Sequence, residues 1–142
     1  MRSFARQAHP IVGGLFAACV VVQIFLAGLG VFADPRSFIT HRDFGYVFGL
    51  LTLALLVLAL VGREPRRVTG LSALLLLLFA LQSVFIALRT STPEIAALHP
   101  LNGFLILFVA ITVTRASWAV RHETTEASTM ARMVSATPGD AS

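Results

Sequence analysis

The sequence predicts an all-α integral membrane protein. The expected architecture is a four-helix bundle of two tandem helical hairpins, with a pseudo-two-fold axis along the membrane normal. Three observations predict it. Of 142 residues, 56% are hydrophobic and 13% charged, a balance too apolar for a soluble domain of this size. Four apolar runs each approach the roughly 20 residues that cross a bilayer core. The stretches between them are short, and two of them repeat one another.

The runs read as helices, because lipid offers no partner for an open backbone group. They are expected at about 10–33, 35–62, 67–89 and 92–120, in one transmembrane domain over residues 1–121. From 122 to 142 the chain turns to Thr, Ser, Ala and Gly and reads as a disordered cytoplasmic tail. Short connections make sequential helices antiparallel neighbours. Arg2 and Arg6 before the first run raise the question of a signal peptide, and Val31-Phe32-Ala33 resembles a cleavage site. The run is longer than a signal core of roughly 7–15 residues, so a retained helix is expected.

The starts of the second and fourth helices carry their own cues. Asp34 before Pro35 reads as an N-cap followed by a first-turn proline. Ser91-Thr-Pro-Glu94 reads as a capping box with Pro93 in the first turn. The fourth helix is then expected to begin near residue 92, with Pro100 internal and bending it beside His99.

Arginine placement sets the expected topology. Every basic residue is arginine. Arg2, Arg6, Arg63, Arg66, Arg67, Arg115 and Arg121 fall on one side, and Arg36, Arg42 and Arg89 on the other. Both termini are then expected in the cytoplasm. Trp118 reads as an interfacial belt residue, and Cys19 as a small packing residue.

The repeat carries the candidate chemistry. DPRSFITHRDFGYVFG from Asp34 aligns without a gap to TPEIAALHPLNGFLIL from Thr92. Pro35 falls on Pro93, His41 on His99 and Gly45 on Gly103; with one residue skipped, Gln23 falls on Gln82. Tandem two-helix units in the same direction imply the pseudo-two-fold axis. Both histidines then lie inside their helices at one depth. An ionisable residue within the membrane is costly and is a functional hypothesis by default.

Two facing imidazoles at one depth suit a haem b, with His41 and His99 as the metal ligands. Gly45 and Gly103, one turn on, open room for a porphyrin edge or for close helix contact, and Gly49 extends that seam. Arg42 and Arg89 are placed to pair with haem propionates, and Gln23 and Gln82 to orient the imidazoles. Each feature has a plainer reading: an interfacial histidine, a helix-packing seam, a topology arginine, an interhelical glutamine. His9-Pro10 and His122 mark a further candidate site at the cytoplasmic end, with His9 otherwise an interfacial residue before a helix-start proline.

The segments HRDFGYVFGLLTLALLVLALVGR and LQSVFIALRTSTPEIAALHPLNGFL resemble a family of small bacterial four-helix membrane proteins without assigned function. The resemblance spans about residues 10–120, with LHPLNG its most specific element, and implies a multi-pass protein of the bacterial inner membrane. The chain is similar, more distantly, to four-helix membrane b-type cytochromes. In those, paired histidines from different helices hold haem; here only His41 and His99 match that pattern.

Three functions are therefore weighed: a bis-histidine haem b protein for electron transfer or haem handling, a non-catalytic accessory or scaffold subunit of a larger membrane complex, and a small transporter or a quinone or metal site. The expected partners are the lipid bilayer and a membrane redox protein or larger complex, with a homo-oligomer compatible. Nucleic acid is not expected, because no arginine stripe carries interleaved aromatics. Transport is disfavoured by the lack of an acidic residue inside an apolar run. Soluble-enzyme motifs are missing from the sequence, so enzymic activity is not expected of this chain alone.

Overall fold

A computed structural model describes residues 1–136. The elements are α1 (Arg2–Phe32), α2 (Ser37–Gly62), α3 (Arg66–Ala87), a single turn α4 (Pro93–Ala96) and α5 (Leu98–Ala136). Four helical stretches are long and apolar enough to cross a membrane: α1, α2, α3, and α4 with α5. The chain is a multi-pass membrane protein with a four-helix bundle.

The helices form a square. α1 packs on α2 and α5, and α3 packs on the same two. α1 faces α3 across one diagonal, and α2 faces α5 across the other. The core lies where the four meet: Phe16 and Val20 of α1, Phe48 and Leu55 of α2, Leu75 and Leu78 of α3, Val109 and Val113 of α5. Phe16, Phe48 and Phe79 form a ring cluster at centroid separations of 5.3 to 5.9 Å. Gly49 makes room for the Phe79 ring, which a Cβ at that position would overlap. Outward, Phe25, Val47, Leu50, Phe104 and Phe108 are exposed. An apolar surface of that extent is stable against lipid rather than water.

Several boundaries differ from the sequence expectation. α1 begins at Arg2, not near residue 10, so Pro10 lies inside the helix instead of starting it. Asp34 does not cap α2: Arg36 holds the N-cap position without a side-chain bond, Pro35 lies in the turn before it, and Asp34 Oδ1 accepts from the Arg36 N–H at 2.9 Å, closing that turn ahead of Ser37. The capping box at Ser91 does not form. Thr92 holds the N-cap position without a side-chain bond, and the Ser91 hydroxyl contacts the Leu88 carbonyl at 3.4 Å. The chain makes the one turn of α4, breaks at Ala97 and restarts at Leu98. Pro100 is therefore in the first turn of α5, where a missing N–H costs nothing, and it bends no helix interior. The tail expected to be disordered from 122 is helical to Ala136. Extending a formed helix needs no new nucleus, and Ala, Glu, Met and Arg in this stretch are strong helix formers. Residues 137–142 of that expected tail lie outside the described residues.

Candidate functional site

The bundle has two ends. One carries the α1–α2 and α3–α5 connections and is termed here the loop end. The other carries the N-terminus and the α2–α3 connection, the terminus end.

At the loop end the two diagonal helices α2 and α5 bring His41 and His99 together. Their ring centroids are 6.2 Å apart, with the ring planes inclined at 60°. Each histidine is tied to the helix before it in the same way. His41 Nδ1 lies 3.0 Å from the Gln23 backbone oxygen, and His99 Nδ1 lies 3.3 Å from the Gln82 backbone oxygen. A carbonyl only accepts, so Nδ1 carries the proton in both rings. A neutral imidazole protonated there keeps its lone pair on Nε2. This is the ligating tautomer.

The glycines and glutamines belong to the same repeated unit. The Gln23 amide donates to the His41 backbone oxygen at 2.6 Å and lies over Gly45, where a Cβ would come within 2.8 Å of its Nε2. The Gln82 amide lies over Gly103, at 3.4 Å from a Cβ built there. Both glycines thus seat a glutamine that helps hold the histidine helix in register. The second unit has one extra part: Asn102 donates to the Leu78 backbone oxygen at 2.8 Å and to Gln82 Oε1 at 2.9 Å. Asn102 had no assigned role from the sequence, although an asparagine one residue before the repeated glycine was a visible cue. Gln23 Oε1, its counterpart, is buried without a hydrogen-bond partner.

Arg42 and Arg89 stay outside this group. Arg42 pairs with Asp43 at 2.8 Å on the exposed rim. Arg89 is exposed and donates to the Ile86 backbone oxygen at 3.2 Å.

The terminus end holds a histidine of the opposite kind. His9 is fully buried. Its Nε2 lies 3.0 Å from the Ser72 hydroxyl and its Nδ1 lies 3.1 Å from the Ser117 hydroxyl. Ser72 spends its own proton on the Val68 carbonyl at 2.9 Å, so it accepts from His9. Nε2 therefore carries the proton, and Nδ1 accepts from Ser117. Both nitrogens are committed, and α1, α3 and α5 are joined through one ring. His122 does not join it; it lies against Trp118, 6.5 Å between ring centroids. The two histidines proposed from the sequence as a second site are not brought together by a shared hydrogen bond or ring contact.

The loop-end donor set offers two imidazoles, the number of axial ligands a haem takes. Two imidazoles sharing one metal at a metal–nitrogen distance of about 2 Å have ring centres roughly 6 Å apart, close to the 6.2 Å between these two. A closed ion site needs about four protein ligands. Among the described residues no three His, Cys, Asp or Glu gather for one, whereas a haem asks the protein for only two axial ligands.

The fold and site define an all-α multi-pass membrane protein with a paired-histidine site at one end. Residues 23–90 match the model of a family of unknown function, DUF6220. That match takes in Gln23, His41, Gly45 and Gln82 and ends before His99 and Gly103. No curated protein and no solved structure matches the chain.

Proposed function

We propose that this chain is a membrane haem b protein that transfers electrons or handles haem, with His41 and His99 as axial ligands. The observation that carries the reading is their matched geometry: two rings on diagonal helices, each with Nδ1 donated to a backbone carbonyl and Nε2 left to ligate. When bound, haem supplies a one-electron redox couple. The chain's own residues do the positioning. The Gln23 and Gln82 carbonyls fix the tautomer, and Gly45 and Gly103 admit the glutamine amides that hold each helix in register. With His41 and His99 both holding it, the group would supply electron transfer rather than oxygen chemistry. The arginine asymmetry, seven against three, supports termini in the cytoplasm and a histidine pair toward the opposite face.

The test is the absorption spectrum of protein expressed with ample haem and purified in detergent. A Soret band that shifts on reduction, absent in both His41→Ala and His99→Ala, is expected. Wild-type protein without a Soret band refutes the reading and leaves a scaffold subunit, or a small transporter or a quinone or metal site.

A further inference from the structure

The terminus end contains a second site of a different chemistry. A cavity of about 550 Å³ opens between the start of α1, the α2–α3 connection and α5. Four arginines line it: Arg2, Arg6, Arg63 and Arg121. The one carboxylate in the lining is Glu64. Arg6 builds the wall: its Nε donates to the Gly62 oxygen at 2.9 Å and its Nη2 to the Arg63 oxygen at 3.2 Å, closing the C-terminus of α2 onto α1. Arg63 holds the left-handed cap of α2 at φ 51°. Glu64 is 9% exposed, and its Oε2 has no hydrogen-bond partner.

Glu64 faces the charges of Arg6 and Arg121, and Arg2 and Arg63 add positive charge to the lining that calls for an anion. Arginine suits phosphate oxygens through its planar donors. A free acceptor on Glu64 calls for a donor on the same ligand. The position selects the source. The cavity lies where the apolar spans begin, and Phe4, Leu60 and Ile11 on α1 and α2 are 72%, 59% and 63% exposed nearby in sequence. Acyl chains have an apolar surface to follow from there. Basic pockets between membrane helices are a setting in which anionic headgroups bind.

We propose that this cavity is a headgroup site for an anionic glycerophospholipid, in which Arg2 and Arg63 take the phosphodiester and Glu64 accepts from a headgroup hydroxyl. The site needs only the membrane setting and is independent of haem.

The experiment uses the full chain in nanodiscs of equal phosphatidylglycerol and phosphatidylcholine, with native mass spectrometry reading the lipid retained. Wild type retains phosphatidylglycerol over phosphatidylcholine. Arg2→Gln with Arg63→Asn, an asparagine tolerating the left-handed cap, lowers that retention about thirtyfold. Circular dichroism in phosphatidylcholine checks that this variant is helical, and the single exposed Arg2→Gln, expected to lower retention about fivefold, serves if it is not. Glu64→Ala, which removes the acceptor, keeps the lipid but loses the preference for phosphatidylglycerol over phosphatidylmethanol, which has the same charge and no headgroup hydroxyl. Equal retention of phosphatidylcholine by wild type, or wild-type retention by the arginine variants, overturns the proposal. Inorganic phosphate alone stabilising wild type as much as phosphatidylglycerol makes the ligand a free phosphate and overturns the lipid assignment.

Discussion

The loop end and the terminus end each place histidine inside the bundle, yet they use it in opposite ways. His41 and His99 each spend Nδ1 on a backbone carbonyl and keep Nε2. His9 spends both nitrogens on Ser117 and Ser72. The difference follows from the partner atoms. A carbonyl fixes one nitrogen as donor and says nothing of the other. Two hydroxyls, one of them already donating to Val68, fix both. A histidine in the bundle is thus a ligand candidate or a structural pin according to what its second nitrogen meets.

The largest contrast is in the separation of effects. His41→Ala or His99→Ala is expected to cut haem retention by at least about a hundredfold, beyond what outer-shell changes typically cost, while changing unfolding little. His9→Ala is expected to lower stability by about 2–4 kcal/mol, from the cavity and the stranded hydroxyls, while leaving the spectrum intact. Denaturant unfolding in detergent, read beside the Soret band, checks both. A spectral loss in the His9 variant equal to that of the pair would erase the distinction between the ends.

Smaller changes sharpen it. Ser72→Ala strands the His9 Nε2–H and is expected to cost about 1–2 kcal/mol. Ser117→Ala removes only a donor to Nδ1 and is expected to cost about 0.6 kcal/mol, near the mean for such bonds between membrane helices. Equal losses in thermal unfolding would contradict the assigned tautomer. At the loop end, Gly45→Ala brings a Cβ to 2.8 Å from the Gln23 amide, against 3.4 Å at Gly103. Gly45→Ala should therefore shift the haem midpoint potential or retention more than Gly103→Ala, which a redox titration of the two variants resolves.

The smallest effect is a pH dependence at the terminus end. Burial raises the Glu64 carboxyl above its ordinary value of 4.5, against the pull of Arg6 and Arg121. A raised folded-state value means the folded chain binds this proton more tightly than the unfolded chain. Its contribution to stability is full below pH 4.5 and fades as pH rises through the raised value. Glu64→Gln should flatten the unfolding profile in that range, and an unchanged slope would remove Glu64 from the account.

Much of the loop end was legible in the sequence. The match of DPRSFITHRDFG to TPEIAALHPLNG paired His41 with His99 and each with a glycine and a glutamine, because a duplicated hairpin repeats its spacing. The seating of a glutamine over each glycine was not legible, since small-residue spacing serves a helix contact and a cofactor slot alike. The terminus end was largely illegible. Arg2 and Arg6 before Pro10 resembled a polar flank, whereas α1 begins at Arg2 and carries His9 into the bundle. Its partners, Ser72 and Ser117, are 63 and 108 residues away, and lone serines in apolar helices announce no partner. The break at Ala97 was hidden because a proline at 93 and a proline at 100 each suit a first turn.

The most direct measurement is nitrogen-15 NMR of the histidine rings in the haem-free protein in micelles, with each signal assigned by single substitution. His41 and His99 are expected to carry the proton on Nδ1 with an unprotonated Nε2, and His9 to carry it on Nε2 with Nδ1 accepting. A proton on Nε2 of His41 or His99 in the neutral ring would contradict the account, because the nitrogen reserved for ligation would already be taken.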